Sequence, residues 1–418
     1  MFLNQNPRSN PNRSRYRAYV HSLGITKLYR RNPVVVALWS AIFPGMGHIL
    51  LDKYLIGFAL FAWEIFINYE SHLNMAIFYS FAGRFEEVKE VLDLRWLLLY
   101  CPTYLFTIWD SYRTTVNMNK EFILACRDDL PVNPFAMSQL CINTLEKKKP
   151  WQAAFWSFLA PGAGQMLNHQ IILGLFLIAL WAFSVYISRL LPAIHFTMLG
   201  LAEMTKQTAD IHWALNIPSI YLFSAYHAYI SAVEINKLYE WEQARFLREE
   251  YGGTALPVIN NNLKDRSGDM LIISTFDYSR SLETAITAVQ MSGIPKENIF
   301  AVPLDKSSSK LMLFDSSHSQ DSQNMLDLPM ILAAIFSLFG LIYGFLWPLG
   351  PVLWALIGTG AGFGIGLAIK FIYAKKKLNS NKEAQVVLII QCESEQSKIV
   401  EDTLFEFSYL KIGVLGHI

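Results

Sequence analysis

The sequence predicts a mostly α-helical multipass membrane protein carrying a cytoplasmic α+β ferredoxin-like domain, with a membrane hairpin inserted into that domain. Three observations predict it. Of 418 residues, 53% are hydrophobic and only 17% are charged, whereas an ordinary soluble domain is about one quarter charged. Hydrophobic segments recur at 34–51, 54–70, 96–116, 151–168, 171–191, 212–233, 329–347 and 351–373, and a span needs about 20 apolar residues. Short apolar runs and amphipathic stretches then alternate on either side of the last two segments, a pattern of strands and helices. The same composition excludes a disordered chain, a coiled coil and a nucleic-acid-binding tail. The net charge of +1 gives no global field to recruit an acidic partner. Cys101, Cys126, Cys141 and Cys392 form no C-x-x-C pair, which excludes a disulfide scaffold and the usual zinc spacings. They read as small apolar residues or incidental thiols, and no metal or other cofactor is expected.

Residues 1–31 are a basic segment. Arg8, Arg13, Arg15, Arg17, Lys27, Arg30 and Arg31 all precede the first acidic residue, Asp52. Positive charge beside a hydrophobic stretch keeps this segment in the cytoplasm. It is too long and polar for the n-region of a signal peptide, and residues 1 to 15 read as disordered.

Residues 32–120 and 149–237 then repeat one another at an offset of 117, without a gap in the matched stretches. Fourteen of 40 positions match between 32–71 and 149–188, and seven of 17 between 104–120 and 221–237. The matches include Trp39/Trp156, Pro44/Pro161, Gly45/Gly162, Gly47/Gly164, Gly57/Gly174 and the Asn-Lys pairs at 119–120 and 236–237. Proline removes a backbone donor and breaks a helix, while glycine permits the dihedrals of the break. Inside lipid, broken backbone survives only when buried in protein or lining a wet cavity. Each Pro-Gly-x-Gly therefore marks either a re-entrant helix or a tight turn between short helices at the membrane surface.

The favoured topology has two spans and one re-entrant segment per repeat. It returns residues 118–150, which hold the linker 121–148 and carry Lys120, Arg127 and the lysines at 147–149, to the cytoplasm. The alternative is a three-plus-three inverted repeat, an arrangement found in transporters. Both place residues 237–325 inside. Segments 74–93 and 192–209 are amphipathic and belong at the interface, and 238–268 form a cytoplasmic helix and polar linker.

The run Pro-Gly-x-Gly-His/Gln, a glycine ten residues later, and Asp110-Ser111-Tyr112-Arg113 ahead of an asparagine resemble a bacterial membrane family. Its members carry PGxGQ and a late DAYR-type end, and it is akin to the small two-transmembrane-domain proteins. The resemblance covers 32–120 and, more loosely, 149–237, where His227 and Ile230 replace the Asp and Arg. It implies fold and membrane location and carries no activity.

Residues 269–328 and 375–418 each read as strand, helix, strand. Two such units in series make the ferredoxin-like fold, here with the hairpin 329–374 in place of the turn between the second and third strands. This layout resembles bacterial proteins whose general-stress-type α/β domain is interrupted by glycine-rich spans, again without an implied reaction. In the second span of the hairpin Gly358, Gly360, Gly362, Gly364 and Gly366 alternate. Small residues at this spacing allow close helix approach, either to the hairpin's own first helix or to a second copy of the chain.

Ionisable groups inside a span are functional candidates. Glu64 lies mid-segment, opposite Trp181 in the repeat; Asp110 aligns with His227 and His48 with Gln165. The alignment predicts His48–Asp110 and Gln165–His227 contacts that hold the broken helices, or else a proton or cation path through His48, Glu64, Asp110 and His227. The tryptophans read first as interfacial anchors. No Gly-x-Ser-x-Gly, His-Glu-x-x-His or phosphate loop is present, so no catalytic residue is assigned. The sequence thus predicts a membrane scaffold, sensor or regulator rather than an enzyme, with a transporter or channel as the alternative. The expected partners are the lipid bilayer and a protein met through the ferredoxin-like domain.

Overall fold

The computed structural model describes residues 15–139, 141–252, 269–304, 326–375, 385–393, 395–406 and 411–415. Of the disorder expected for residues 1 to 15, residues 1–14 lie outside them, as do 253–268 of the helix and linker expected at 238–268, whereas Arg15 is placed and pairs with Glu121 at 2.6 Å. The chain divides into a helical unit (1–144, 148–234 and 316–378) and an α+β unit (145–147, 235–315 and 379–418).

A hairpin of β1 (Ala18–His21) and β2 (Gly24–Lys27) comes first. Helices α1 (Pro33–Ile42), α2 (Met46–Leu50), α3 (Tyr54–Ser71), α4 (Leu73–Phe81), α5 (Phe85–Val91) and α6 (Leu94–Asp128) follow. A second hairpin, β3 (Phe135–Met137) and β4 (Ile142–Thr144), leads to α7 (Pro150–Leu159), α8 (Ala163–Leu167), α9 (Ile171–Ile187), α10 (Leu190–Met198), α11 (Ala202–Thr208), α12 (Ile211–Ala214) and α13 (Ile217–Tyr251). The chain continues through β5 (Asp269–Asp277), α14 (Arg280–Met291), β6 (Ile299–Leu304), α15 (Asp327–Leu346), α16 (Gly350–Lys375), β7 (Gln385–Glu393), α17 (Ser397–Glu406) and β8 (Lys411–Leu415).

Four helices of the first set, α1, α2, α4 and α5, recur 117 residues later with unchanged bounds as α7, α8, α10 and α11. Left-handed residues recur in the same register: Gly45 and Gly162, Asp52 and His169, His72 and Arg189, Gly83 and Gly200. The local causes recur too. Pro33 and Pro150 open their helices at the first turn, where the missing N–H is no loss.

In the helical unit, Trp39, Phe43 and Phe61 pack with Phe223 and Tyr226 of α13 and with Met330 of α15 in one core. Trp39 is fully buried and stacks on Tyr226 with ring centroids 5.2 Å apart. It is therefore a core residue, not the interfacial anchor expected. Helices α15 and α16 meet closely. A methyl group at Gly358, Gly362 or Gly366 would strike the backbone of Phe336, Leu332 or Pro329. Gly360 and Gly364 have nothing within 4 Å, so only three of the five glycines serve the hairpin contact.

Among the described residues two helices, Asp327–Leu346 and the part of α16 over Gly350–Ile372, are long and apolar enough to cross a membrane. The number rises to four if two bent pairs, α5–α6 at 92° and α9–α10 at 63°, each count as one span. That is fewer than the six spans of the favoured topology, two per repeat and two in the hairpin, and fewer than the eight of the alternative. Helix α1 has ten residues and is about 15 Å long, half a hydrocarbon core.

Several boundaries shift. Helix α6 runs past 120 to Asp128 and α13 runs past 237 to Tyr251 without a break. The hairpins β1–β2 and β3–β4 fall where a leader and a linker were expected. Their strands have only three or four residues, too few for a period-2 signal to stand out.

In the α+β unit four strands pair antiparallel in the order β6-β7-β5-β8. Register sets Ile272 against Ile390 and Ala301 against Leu388. Alternate residues Ile272, Ser274 and Phe276 of β5 and Val386, Leu388 and Ile390 of β7 are buried, the period-2 pattern of a sheet covered on one face. The apolar stripes of α14 and α17 and, from α13, Ala244 and Leu247 complete this core. Gln243 of α13 donates to the Ser279 carbonyl and to Glu283, both at 2.8 Å.

Candidate functional site

The two helix breaks share one backbone design. Of the two readings that the motif leaves open, Pro44 and Pro161 take the turn between two short helices. Helix α1 has already ended at Ile42 and α7 at Leu159, before either proline is reached. The N–H groups of Phe43 and Ala160 make the last bonds, to the carbonyls of Trp39 and Trp156. A residue that precedes proline is pushed out of the helical region, and Phe43 and Ala160 are extended, with ψ of 118° and 99°. Pro161, like Pro44, therefore sits buried in the turn between two short helices. Each stops the helix through the residue ahead of it and removes no bond from a helical ladder.

At Gly45 and Gly162 the chain turns with φ of 96° and 104°, the left-handed region that glycine enters without strain. A methyl group there would land on the carbonyl oxygen of Gly57 or Gly174. The spacing of the later glycine is thus explained: the break and the next helix touch through paired glycines. At Gly47 and Gly164 a methyl would strike the backbone of Val36 or Ala153, so the second short helix folds back against the first.

The side chains that hold the breaks differ. In the first set His48 Nε2 lies 3.2 Å from Asp110 Oδ2. The other oxygen of Asp110 accepts from Arg113 at 2.9 Å. The expected His48–Asp110 contact is present, with Arg113 as an added partner. In the second set the expected Gln165–His227 contact is replaced. Gln165 accepts from the Ser157 hydroxyl at 2.9 Å and donates to the Ser224 carbonyl at 2.9 Å. The Gly162 and Gly164 N–H groups donate to the Ser224 and Ser157 hydroxyls at 3.0 and 3.1 Å. A glutamine has both a donor and an acceptor, so it satisfies the break from two serines, and His227 keeps an unpartnered Nδ1. His48, Asp110, Glu64 and His227 do not join into one hydrogen-bonded path.

Glu64 belongs elsewhere. It is 6% exposed and borders a cavity of about 360 Å³ within the helical unit. Asn68, Asn74, Tyr100, Tyr104, Asn216 and Ser219 supply the other polar groups, facing Ala334, Ile335, Leu338 and Phe339 of α15. The asparagines are interlocked. Asn68 donates to Asn74 Oδ1 at 3.0 Å and accepts from the Asn74 N–H at 3.1 Å, while Asn74 donates to the His212 carbonyl at 2.7 Å. Tyr104 donates to the Ala41 carbonyl at 2.7 Å, beside the break. The Tyr100 hydroxyl and Asn68 amide approach the Glu64 carboxyl, yet its Oε2 has no hydrogen-bond partner. In the second set Trp181 stands at the Glu64 position and donates to Tyr221, the counterpart of Tyr104, at 2.6 Å.

Sequence reasoning found Glu64 but not its setting. Asn68, Asn74 and Asn216 are polar residues in or beside apolar stretches, and that was the available signal. It also placed Lys27 and Arg31 in a solvated leader. Both are buried, at 4% and 7% exposure. Lys27 donates to Ser231 at 3.1 Å, and burial depresses its ammonium pKa even against the carboxylates of Asp52 and Glu234. Asn119 clamps the Arg31 backbone from both sides, accepting from its N–H at 3.0 Å and donating to its carbonyl at 2.8 Å.

Among the described residues no group of three or more His, Cys, Asp or Glu side chains is placed to hold a metal ion. No family model matches the chain, and neither a curated protein nor a solved structure matches it.

Proposed function

We propose that the chain is a multipass integral membrane protein, with N-terminus and α+β unit in the cytoplasm, that acts as a membrane scaffold or sensor. The observation that carries this reading is the connection between β6 and β7. These strands are antiparallel neighbours, and the chain between them contains the two most span-like helices, α15 and α16. A hairpin that leaves and re-enters one sheet must return to the side from which it left. The strand order β6-β7-β5-β8, with a helix after β5 and another after β7, supports a ferredoxin-like fold for the unit so tethered. The element-by-element match at 117 residues supports an internal duplication, and the fold-back at Gly47 and Gly164 supports re-entrant rather than spanning Pro-Gly segments. A transporter is the second reading, favoured by the cavity at Glu64.

The test is the side of residues 118–150. Cys392 is buried and cannot report, so Met291→Cys, at an exposed position, serves as the cytoplasmic control, with Cys101→Ser removing the exposed thiol in the first half of α6 and leaving Cys126 near its end. Intact cells are treated with a membrane-impermeant maleimide. Labelling of Cys126, Cys141 and the residue-291 cysteine only after permeabilisation is the expected result. Labelling of Cys126 and Cys141 on intact cells overturns this topology in favour of the inverted repeat and of transport. Deleting 269–418 is not a usable test of the α+β unit, because it also removes Met330, Ile331 and Ala334 from the helical core.

A further inference from the structure

We propose that the cavity at Glu64 is a binding site for a small organic ammonium ion. The site stands independently of the topology and of the scaffold reading. A carboxyl group buried in an apolar protein is costly unless it is paired. Glu64 is 6% exposed, and among the described residues its Oε2 has no hydrogen-bond partner and no Lys, Arg or His lines the cavity. The cavity therefore offers a buried acidic group with no cationic side chain beside it among the described residues. The volume of about 360 Å³ lies at the small end of ligand pockets. Phe43, Tyr100, Tyr104 and Phe339 are among its walls, and aromatic faces attract ammonium groups. The Asn68–Asn74 interlock, tied further to the His212 carbonyl and to Asn216, fixes the polar wall before a ligand arrives. The second set has no such carboxylate, because Trp181 occupies the position. One site per chain is expected, not two.

The ammonium has two sources, a free amine or the headgroup of phosphatidylethanolamine, and the experiment separates them. The full chain is purified into nanodiscs of phosphatidylglycerol, and thermal unfolding is followed by tryptophan fluorescence. Phenethylammonium at about 1 mM is expected to raise Tm by roughly 3 °C or more, while 2-phenylethanol, its neutral isostere, leaves Tm unchanged. Glu64→Gln should remove the shift. Ser219→Leu, which fills the cavity from another wall without touching the carboxyl, should remove it as well and guards against a folding defect in the first variant. In a parallel arm, nanodiscs containing phosphatidylethanolamine are compared with those lacking it. Protection by the lipid alone, lost in Glu64→Gln, assigns the site to the headgroup; protection by the free amine assigns it to a soluble ligand. Equal shifts from amine and alcohol, a shift retained in both variants, or no shift in either arm overturns the proposal.

Discussion

Residues 33–128 and 150–245 trace closely similar successions of helices, with α12 and α13 standing where α6 runs unbroken, yet the two regions are used differently. Trp39 of α1 is sealed between α13 and the core beside α15. Its counterpart Trp156 is 45% exposed, and Trp151, Phe155 and Leu159 on the same short helix are exposed too. The backbone breaks are alike, down to the glycine pairs Gly45–Gly57 and Gly162–Gly174. The side chains that hold them are a histidine–aspartate contact in one region and a serine-glutamine cluster in the other. The lesson is that backbone geometry survives between the two regions because glycine has no substitute there. The polar and apolar contacts diverge with what each region packs against.

The largest expected effect tests the burial difference. Trp39→Ala should cost about 3–5 kcal/mol, and Trp156→Ala less than about 1 kcal/mol, in detergent unfolding followed by circular dichroism. Equal costs would break the comparison. Next come the shared glycines. Gly45→Ala and Gly162→Ala should each cost roughly 2–4 kcal/mol, since left-handed strain adds to a collision with backbone. Gly83→Ala sharpens the point. It has φ of 73° but nothing within 4 Å, so only the conformational cost of about 1–2 kcal/mol remains.

Smaller effects distinguish the two ways of holding the breaks. Asp110→Asn should cost about 1–3 kcal/mol, because it removes the partner shared by His48 and Arg113. His227→Phe, at the matching position, should cost no more than about 1 kcal/mol, because Gln165 is satisfied by Ser157 and Ser224. Comparable losses would show that the second break does rely on His227. The smallest expected change is in the late hairpin. Gly360→Ala should raise stability by about 0.5–1 kcal/mol by restricting the unfolded chain. Gly362→Ala, against the Leu332 carbonyl, should lower it.

Much of the organisation was legible in the residues. The 117-residue offset, the Pro-Gly breaks and the strand-helix-strand runs are periodic or covalent signals that need no knowledge of neighbours. The exact place of Pro44 and Pro161 was not, because a proline acts on the residue before it and so ends a helix ahead of its own position. The His48–Asp110 contact followed from alignment and complementary chemistry. The Gln165–His227 expectation failed for an identifiable reason. Alignment carries a position forward, but a glutamine's reach and dual polarity let it choose nearer serines. The asparagine wall of the cavity was not legible, because Asn68, Asn74 and Asn216 come together only when α3, α4 and the turn before α13 meet.

By itself, then, the sequence determined where helices start, break and repeat, because proline, glycine and the apolar period act locally on the backbone. Only the tertiary structure decided which copy of an aligned pair is buried. Trp39 and Trp156 have the same local context, and their fates separate because the core that holds Trp39 draws in Met330 and its neighbours from a helix nearly 300 residues further along the chain. It also decided that Glu64 faces a cavity with no cationic side chain among the described residues that line it, since the setting of a buried carboxyl is defined by the side chains around it, and those come from distant segments of the chain.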